Sequence, residues 1–133
     1  MKTINQTTIK KEVSLHGVGL HTGQNVTLSF KPAPVNHGFA FKRIDLEGEP
    51  VIPANASFVT DTDRGTSLEK NGVVIQTSEH VLAACVGLGI DSMLLELNAS
   101  EPPIMDGSSK FFVGALEEAG IEEQDAPRDE FIV

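Results

Sequence analysis

Hydrophobic and polar positions alternate with a period of two along most of the first 76 residues. Ile9, Val13 and Leu15 stand among polar neighbours in residues 8–15, and Val26, Leu28 and Phe30 alternate with Thr27 and Ser29. That period is the one of a strand with a single buried face. Between the two runs, Gly17, Gly19 and Gly23 permit the tight backbone of a hairpin-like connection. Pro32 and Pro34 end the second run, residues 38–41 open a third with Phe39 and Phe41 on one face, and the pattern resumes at 56–59 after Pro50 and Pro53. Residues 66–69 and 73–76 flank Lys70-Asn71-Gly72, where Asn-Gly is a strong hairpin signal.

From Thr77 onward the spacing becomes helical. Thr77 or Ser78 can N-cap a helix through residues 79–86, with Gly87 and Gly89 as its stop. A second helix begins near 106–109, continues through Phe111, Phe112, Val113, Ala115 and Leu116, and stops at Gly120. Residues 92–97 alternate again and predict a strand between the helices. Several strands, helix, strand, helix is the order of an α+β fold, with two helices packed on one face of a mostly antiparallel sheet as a two-layer sandwich. A doubly wound parallel fold would need regular strand-helix alternation from the start. Residues 124–128 read as the start of a linker and Phe131-Ile132-Val133 as a strand just begun. The expected organisation is therefore a first domain over 1–126 and a connector over 127–133 leading to a second domain.

Composition narrows the function classes. With 133 residues the chain is the size of one domain, and 40% hydrophobic with 22% charged residues is ordinary for a folded one. A net charge of −9 works against nucleic acid or an anionic membrane as the main partner. Part of that charge is local: Glu117, Glu118, Glu122, Glu123, Asp125, Asp129 and Glu130 form a run read as a solvated helix face and connector. Cys85, the single cysteine, excludes an internal disulfide and a cysteine framework for structural zinc, and points to a reducing compartment. No apolar stretch has the length of a signal-peptide core near residue 1 or of a membrane span, so the expected setting is cytoplasmic and without membrane insertion.

Glu79 and His80 are the sharpest chemical candidates, because they occupy the first turn of a predicted helix directly after a strand, at a sheet edge. A neutral imidazole can ligate a metal, and a neighbouring carboxylate can take a proton from an attacking water. The plain alternative is capping and solvent exposure. A catalytic zinc normally takes three protein ligands and keeps one open position. Here only His16, His21, His37 and His80 are available, in four separate contexts, and neither HExxH nor HxxxD occurs. A site based on His80 therefore has to be completed from elsewhere. Asp106-Gly107-Ser108 looks catalytic, but no histidine lies nearby and an acid or serine before an apolar helical run suits an N-cap. Cys85 reads as a small buried residue, and His16 and His37 as surface or turn histidines.

Three motifs then occur together in order: GVGLHTG at 17–23, TSEHVLAACVGLGID at 77–91 and EPPIMDGSS at 101–109. They closely resemble the UDP-3-O-acyl-N-acetylglucosamine deacetylases of lipid A synthesis, and the similarity runs from about residue 7 to 133. The resemblance implies a zinc-dependent amidohydrolase acting on a UDP-linked acylated amino sugar, with Glu79 as catalytic base and His80 as a zinc ligand. It also implies that the other zinc ligands, a His and an Asp on an HxxxD helix, and a further catalytic His come from a second domain of similar fold; no match to them is present here. The implied mechanism uses zinc as a Lewis acid at the amide, Glu79 as acceptor of the attacking water's proton, and a second acid at the departing amine. Asp61-Thr62-Asp63-Arg64-Gly65-Thr66 matches a family segment lining the cleft, which makes Arg64 and Gly65 candidate substrate contacts, and His21 in the glycine-rich loop is another. Some members carry a fused hydroxyacyl carrier-protein dehydratase. On this reading the isolated chain holds half an active site and is inactive; the alternative is a non-catalytic domain that binds a sugar nucleotide or a protein.

Overall fold

A computed structural model describes residues 5–19, 22–54, 59–62, 65–76, 79–105 and 109–127. They form β1 (Asn5–Ile9), β2 (Val13–Val18), β3 (Asn25–Pro32), β4 (Phe39–Arg43), β5 (Val51–Pro53), β6 (Val59–Thr62), β7 (Gly65–Lys70), β8 (Val73–Ile75), α1 (Glu79–Gly87), β9 (Met93–Leu97), α2 (Lys110–Ala119) and β10 (Ile121–Pro127). The main sheet has five strands in the order β2-β3-β9-β4-β5. Central β9 runs antiparallel to β3 and parallel to β4, and the other described pairings are antiparallel. This is the expected α+β class.

Alternation along the strands builds the core. Leu28 pairs with Leu97, and Phe30 and Phe41 both pair with Leu95, so these large side chains share one face of the sheet. All five are fully buried. The same apolar cluster takes in Val81, Ala84 and Cys85 of α1 and Phe112, Ala115, Leu116 and Ala119 of α2. Each fully buried Leu or Phe contributes roughly 1.5–3 kcal/mol relative to exposure, so the helices are held mainly by this shared layer. The opposite face of the sheet is polar; there Lys31 pairs with Glu96 at 3.1 Å and Glu12 at 3.8 Å.

Both helix stops follow the glycines. After α1, Gly89 takes φ +72°, the Gly89 N–H donates to the Val86 carbonyl and the Ile90 N–H to the Cys85 carbonyl, a Schellman closure. After α2, Gly120 takes φ 81° and ψ 150°, a conformation open to glycine, and turns the chain into β10. Asn71 and Gly72, at φ 54° and 80°, make the expected hairpin between β7 and β8.

The structure corrects four details. Strands β6–β8 and the pair β1-β10 form two small sheets of their own, so the pieces do not join into a single sheet. The run at 8–15 is two strands, interrupted by the exposed charged residues Lys10, Lys11 and Glu12, because β1 pairs with β10 and β2 with β3. Residues 124–127 are not a linker: β10 pairs with β1 from Ile9↔Ile121 to Asn5↔Pro127, and Gln124 Nε2 donates to the Ala33 carbonyl at 2.8 Å. Its acidic, solvated edge hid it, since a strand without an apolar face leaves no alternation to read. Finally, Ser109 holds the N-cap position of α2 but makes no side-chain cap bond; Asp106, Gly107 and Ser108, like Thr77 and Ser78 before α1, lie outside the described residues.

Candidate functional site

The start of α1 is fixed from two sides. The Gln76 N–H, at the end of β8, donates to the Ser100 carbonyl at 2.6 Å, which ties the strand end to the segment after β9. Inside the helix, Val81, Ala84 and Cys85 are the buried stripe that seats it on the core. Glu79 is the first helical residue and half-buried, while His80 is exposed. At 100° per residue, these neighbours leave the axis in different directions. Helical spacing places Glu79 on the side of Ala83 and Val86, away from the core, and Val86 is 67% exposed.

Glu79 Oε2 is buried, yet it has no hydrogen-bond partner among the described residues, and Gln76 Oε1 is in the same condition. Two buried acceptors within four residues have no donor among the described residues, so each is an atom that a water, a ligand or another group would bond. This orphaned oxygen and the exposed His80 imidazole are the donor chemistry that suits a zinc site with a carboxylate base beside it. They are not a complete set: among the described residues no group of three or more His, Cys, Asp or Glu could hold a metal ion. A metal held by His80 would therefore need further ligands from outside these residues.

The remaining predicted contacts are only partly visible. Gly65 is the first residue of β7 and pairs with Thr62 of β6. Arg64 and Asp63, between those paired positions, lie outside the described residues, and so does His21. His16 is exposed with Nδ1 2.9 Å from Thr27 Oγ1, and exposed His37 has Nδ1 3.0 Å from the Gly38 carbonyl, so neither converges on Glu79 and His80 as a bonded partner. Cys85 is fully buried, and burial pushes its thiol up to about 12, which makes it inert as a nucleophile.

Sequence reasoning missed Glu101. It is fully buried, and its Oε2 accepts the Thr22 N–H at 3.2 Å. A Cβ on Gly19 would stand 2.9 Å from Glu101 Cδ, and one on Gly17 would stand 2.8 Å from Pro103 Cβ. Glycines two apart in a strand-like run are the signal that could have found it, since they leave one face free for a close neighbour.

Among the described residues, no helix is long and apolar enough to cross a membrane. Residues 6–133 match the family model described as UDP-3-O-acyl N-acetylglycosamine deacetylase. The chain is 51% identical over 130 residues to the bifunctional enzyme LpxC/FabZ of Bacteroides thetaiotaomicron, a match covering 98% of this chain and 28% of that protein. It is 46% identical over 129 residues to the UDP-3-O-acyl-N-acetylglucosamine deacetylase of Myxococcus xanthus, covering 97% and 41%. With the deacetylase of Stenotrophomonas maltophilia it shares 48% over 125 residues, covering 94% and 41%. The chain thus spans well under half the length of these curated relatives.

Proposed function

The chain belongs to the UDP-3-O-acyl N-acetylglycosamine deacetylase family, and from that premise we propose that it forms one wall of a zinc-dependent active site that removes the acetyl group from a UDP-linked acylated amino sugar in a cytoplasmic lipid A pathway. The observation that carries the proposal is the buried Oε2 of Glu79, without a donor among the described residues, beside the exposed His80 at the start of α1.

In this reading His80 supplies one zinc ligand, and a second domain of the parent protein supplies the rest. Zinc, when bound, provides Lewis acidity at the scissile amide. Glu79 accepts the proton of the attacking water; its half-buried position keeps the carboxylate aimed and shielded, which strengthens its electrostatic influence on that water. A group on the opposite wall protonates the departing amine. Arg64, Gly65 and His21 belong to segments that contact the substrate, the arginine through an anionic or carbonyl group and the glycine through close backbone approach. The second wall also accounts for the outward side of α1, where Ala83 and Val86 are exposed apolar residues that a covering surface would bury.

Metal content tests the proposal. The full-length parent should hold one zinc per active site and deacetylate the sugar nucleotide, and His80→Ala should lower both the zinc stoichiometry and turnover. The 133-residue chain alone should retain no stoichiometric zinc and show no turnover. Tight zinc with activity in the isolated chain would overturn the half-site arrangement, and a parent that binds the sugar nucleotide without zinc or turnover would favour the non-catalytic binding domain.

A further inference from the structure

We propose that Glu101 is a positioning residue: its buried carboxylate clamps the turn at residues 19–24 and thereby sets the affinity of the substrate-binding loop to which His21 belongs, an inference that rests on the deacetylase reading above. A carboxylate with no exposed surface is rare unless it is held by donors. Glu101 reaches one of them across the fold, the Thr22 N–H at 3.2 Å. That N–H belongs to the peptide group joining His21 to Thr22, a rigid planar unit, so a bond to it acts directly on the link between the two residues.

Both sides of the contact are built for close approach. The strut after β9 is stiff, because Pro102 and Pro103 fix φ at two successive positions and restrict Glu101 before them. It lies along the end of β2, with a bridge between Gly19 and Pro103 and the Ile104 N–H donating to the Val18 carbonyl at 2.9 Å. On the turn side, Gly19 lacks the Cβ that would meet Glu101 Cγ at 3.0 Å and Thr22 Oγ1 at 2.6 Å. The turn closes on itself through Gly23 N–H to the Gly19 carbonyl, Gly19 N–H to the Gln24 carbonyl, and Gln24 N–H to Thr22 Oγ1. Thr22, Gly23 and Gln24 are nevertheless exposed, so this half of the turn is not itself buried in the core. Exposed, glycine-containing backbone of this kind opens easily. The Glu101 carboxylate ties this exposed half of the turn to the interior.

A tether of this kind acts on binding more than on the chemical step, since it holds the turn and not the groups that move the proton. In the full-length parent, Glu101→Ala should raise KM about tenfold while kcat stays within about threefold and zinc content is unchanged. Hydrogen exchange across residues 19–24 should accelerate in the same variant, with exchange in β9 and α1 unaffected. Glu101→Gln keeps an oxygen acceptor for the Thr22 N–H and should restore most of the wild-type KM and protection. An unchanged KM in Glu101→Ala, or a fall in kcat with KM unaltered, overturns the proposal. Should Glu101→Ala fail to fold, Gly19→Ala provides the second variant, because its Cβ separates the turn from the same carboxylate; a wild-type KM there would be equally fatal. A parent without deacetylase turnover would refute the functional reading alone, and the exchange measurement would still decide the clamp: unchanged exchange at 19–24 in Glu101→Ala removes it.

Discussion

Near β1, Thr8 Oγ1 donates to the Ser92 carbonyl at 2.6 Å and accepts the Ala33 N–H at 3.1 Å, and the buried Gln6 amide donates to Asn36 Oδ1 and the Pro127 carbonyl while accepting the Asn36 N–H. At the start of α1, Gln76 Oε1 and Glu79 Oε2 are buried without a donor among the described residues. Leaving a buried acceptor unpaired costs about 1–3 kcal/mol, so each of these oxygens calls for a partner beyond the described residues. The third such atom, Gln124 Oε1, belongs to a side chain whose nitrogen is bonded to the Ala33 carbonyl, so that amide has a structural use. One region is closed on itself; the other holds acceptors that a water, a ligand or another chain segment would complete.

The contrast is broken most directly by neutralising Glu79. Glu79→Gln keeps the shape and removes the base, so in the full-length parent kcat should fall by about 10²–10⁴-fold. Stability of the fold should be unchanged or slightly raised, because the variant no longer buries part of a charged group without a described partner. Steady-state kinetics with chemical denaturation would read both quantities. A stability loss above about 2 kcal/mol with kcat preserved would show that Glu79 is a structural residue, and the distinction between the two regions would go with it.

Arg43 offers the opposite case. It is 8% exposed, and its guanidinium donates to both Asp45 carboxylate oxygens, at 2.9 and 2.7 Å, and to the Val74 carbonyl at 3.0 Å. These bonds tie β4 to β8, two residues before Gln76. Arg43→Ala should destabilise the fold by about 2–3 kcal/mol, since it leaves the Val74 carbonyl and the Asp45 carboxylate without those donors. Its effect on kcat in the folded parent should be small beside that of Glu79→Gln. A kcat loss as large as that of Glu79→Gln would mean that β8 transmits its position directly to the site.

How far these roles could be read from sequence depends on whether a residue's effect is local. The strands β3, β4 and β9, the Asn71-Gly72 hairpin and both glycine stops were legible, because alternation and positive-φ demands are written within a few residues. Strand β10 was not, because its pairing partner lies over a hundred residues away and its own polar run has no buried face to announce it. Glu79 and His80 were legible as a pair at a helix start, and their family resemblance gave them roles. Glu101 was not, since its contact with Thr22 depends on the tertiary approach of two loops, and only the empty face at Gly17 and Gly19 hints that something must pack there.

The smallest expected effect concerns pH. The Arg43 guanidinium, chiefly through its side-chain hydrogen bonds and also by charge, holds the Asp45 carboxyl below the usual carboxylate range, against a partial opposing effect of burial. A group whose value is lowered on folding binds more protons in the unfolded chain, so stability rises with pH across the interval between the two values. The contribution of Asp45 is therefore fully present above about pH 4 and is lost as pH falls through the lowered value of the folded state. Its side chain is 28% exposed, and solvent screening limits the contribution to about 0.5 kcal/mol. Asp45→Asn should remove that much stability at pH 7 and flatten the acid limb below pH 4, as measured by denaturant midpoints across a pH series. An identical acid limb in the variant would mean that the Arg43 contact with Val74, and not its ion pair with Asp45, carries the stability of this closed region.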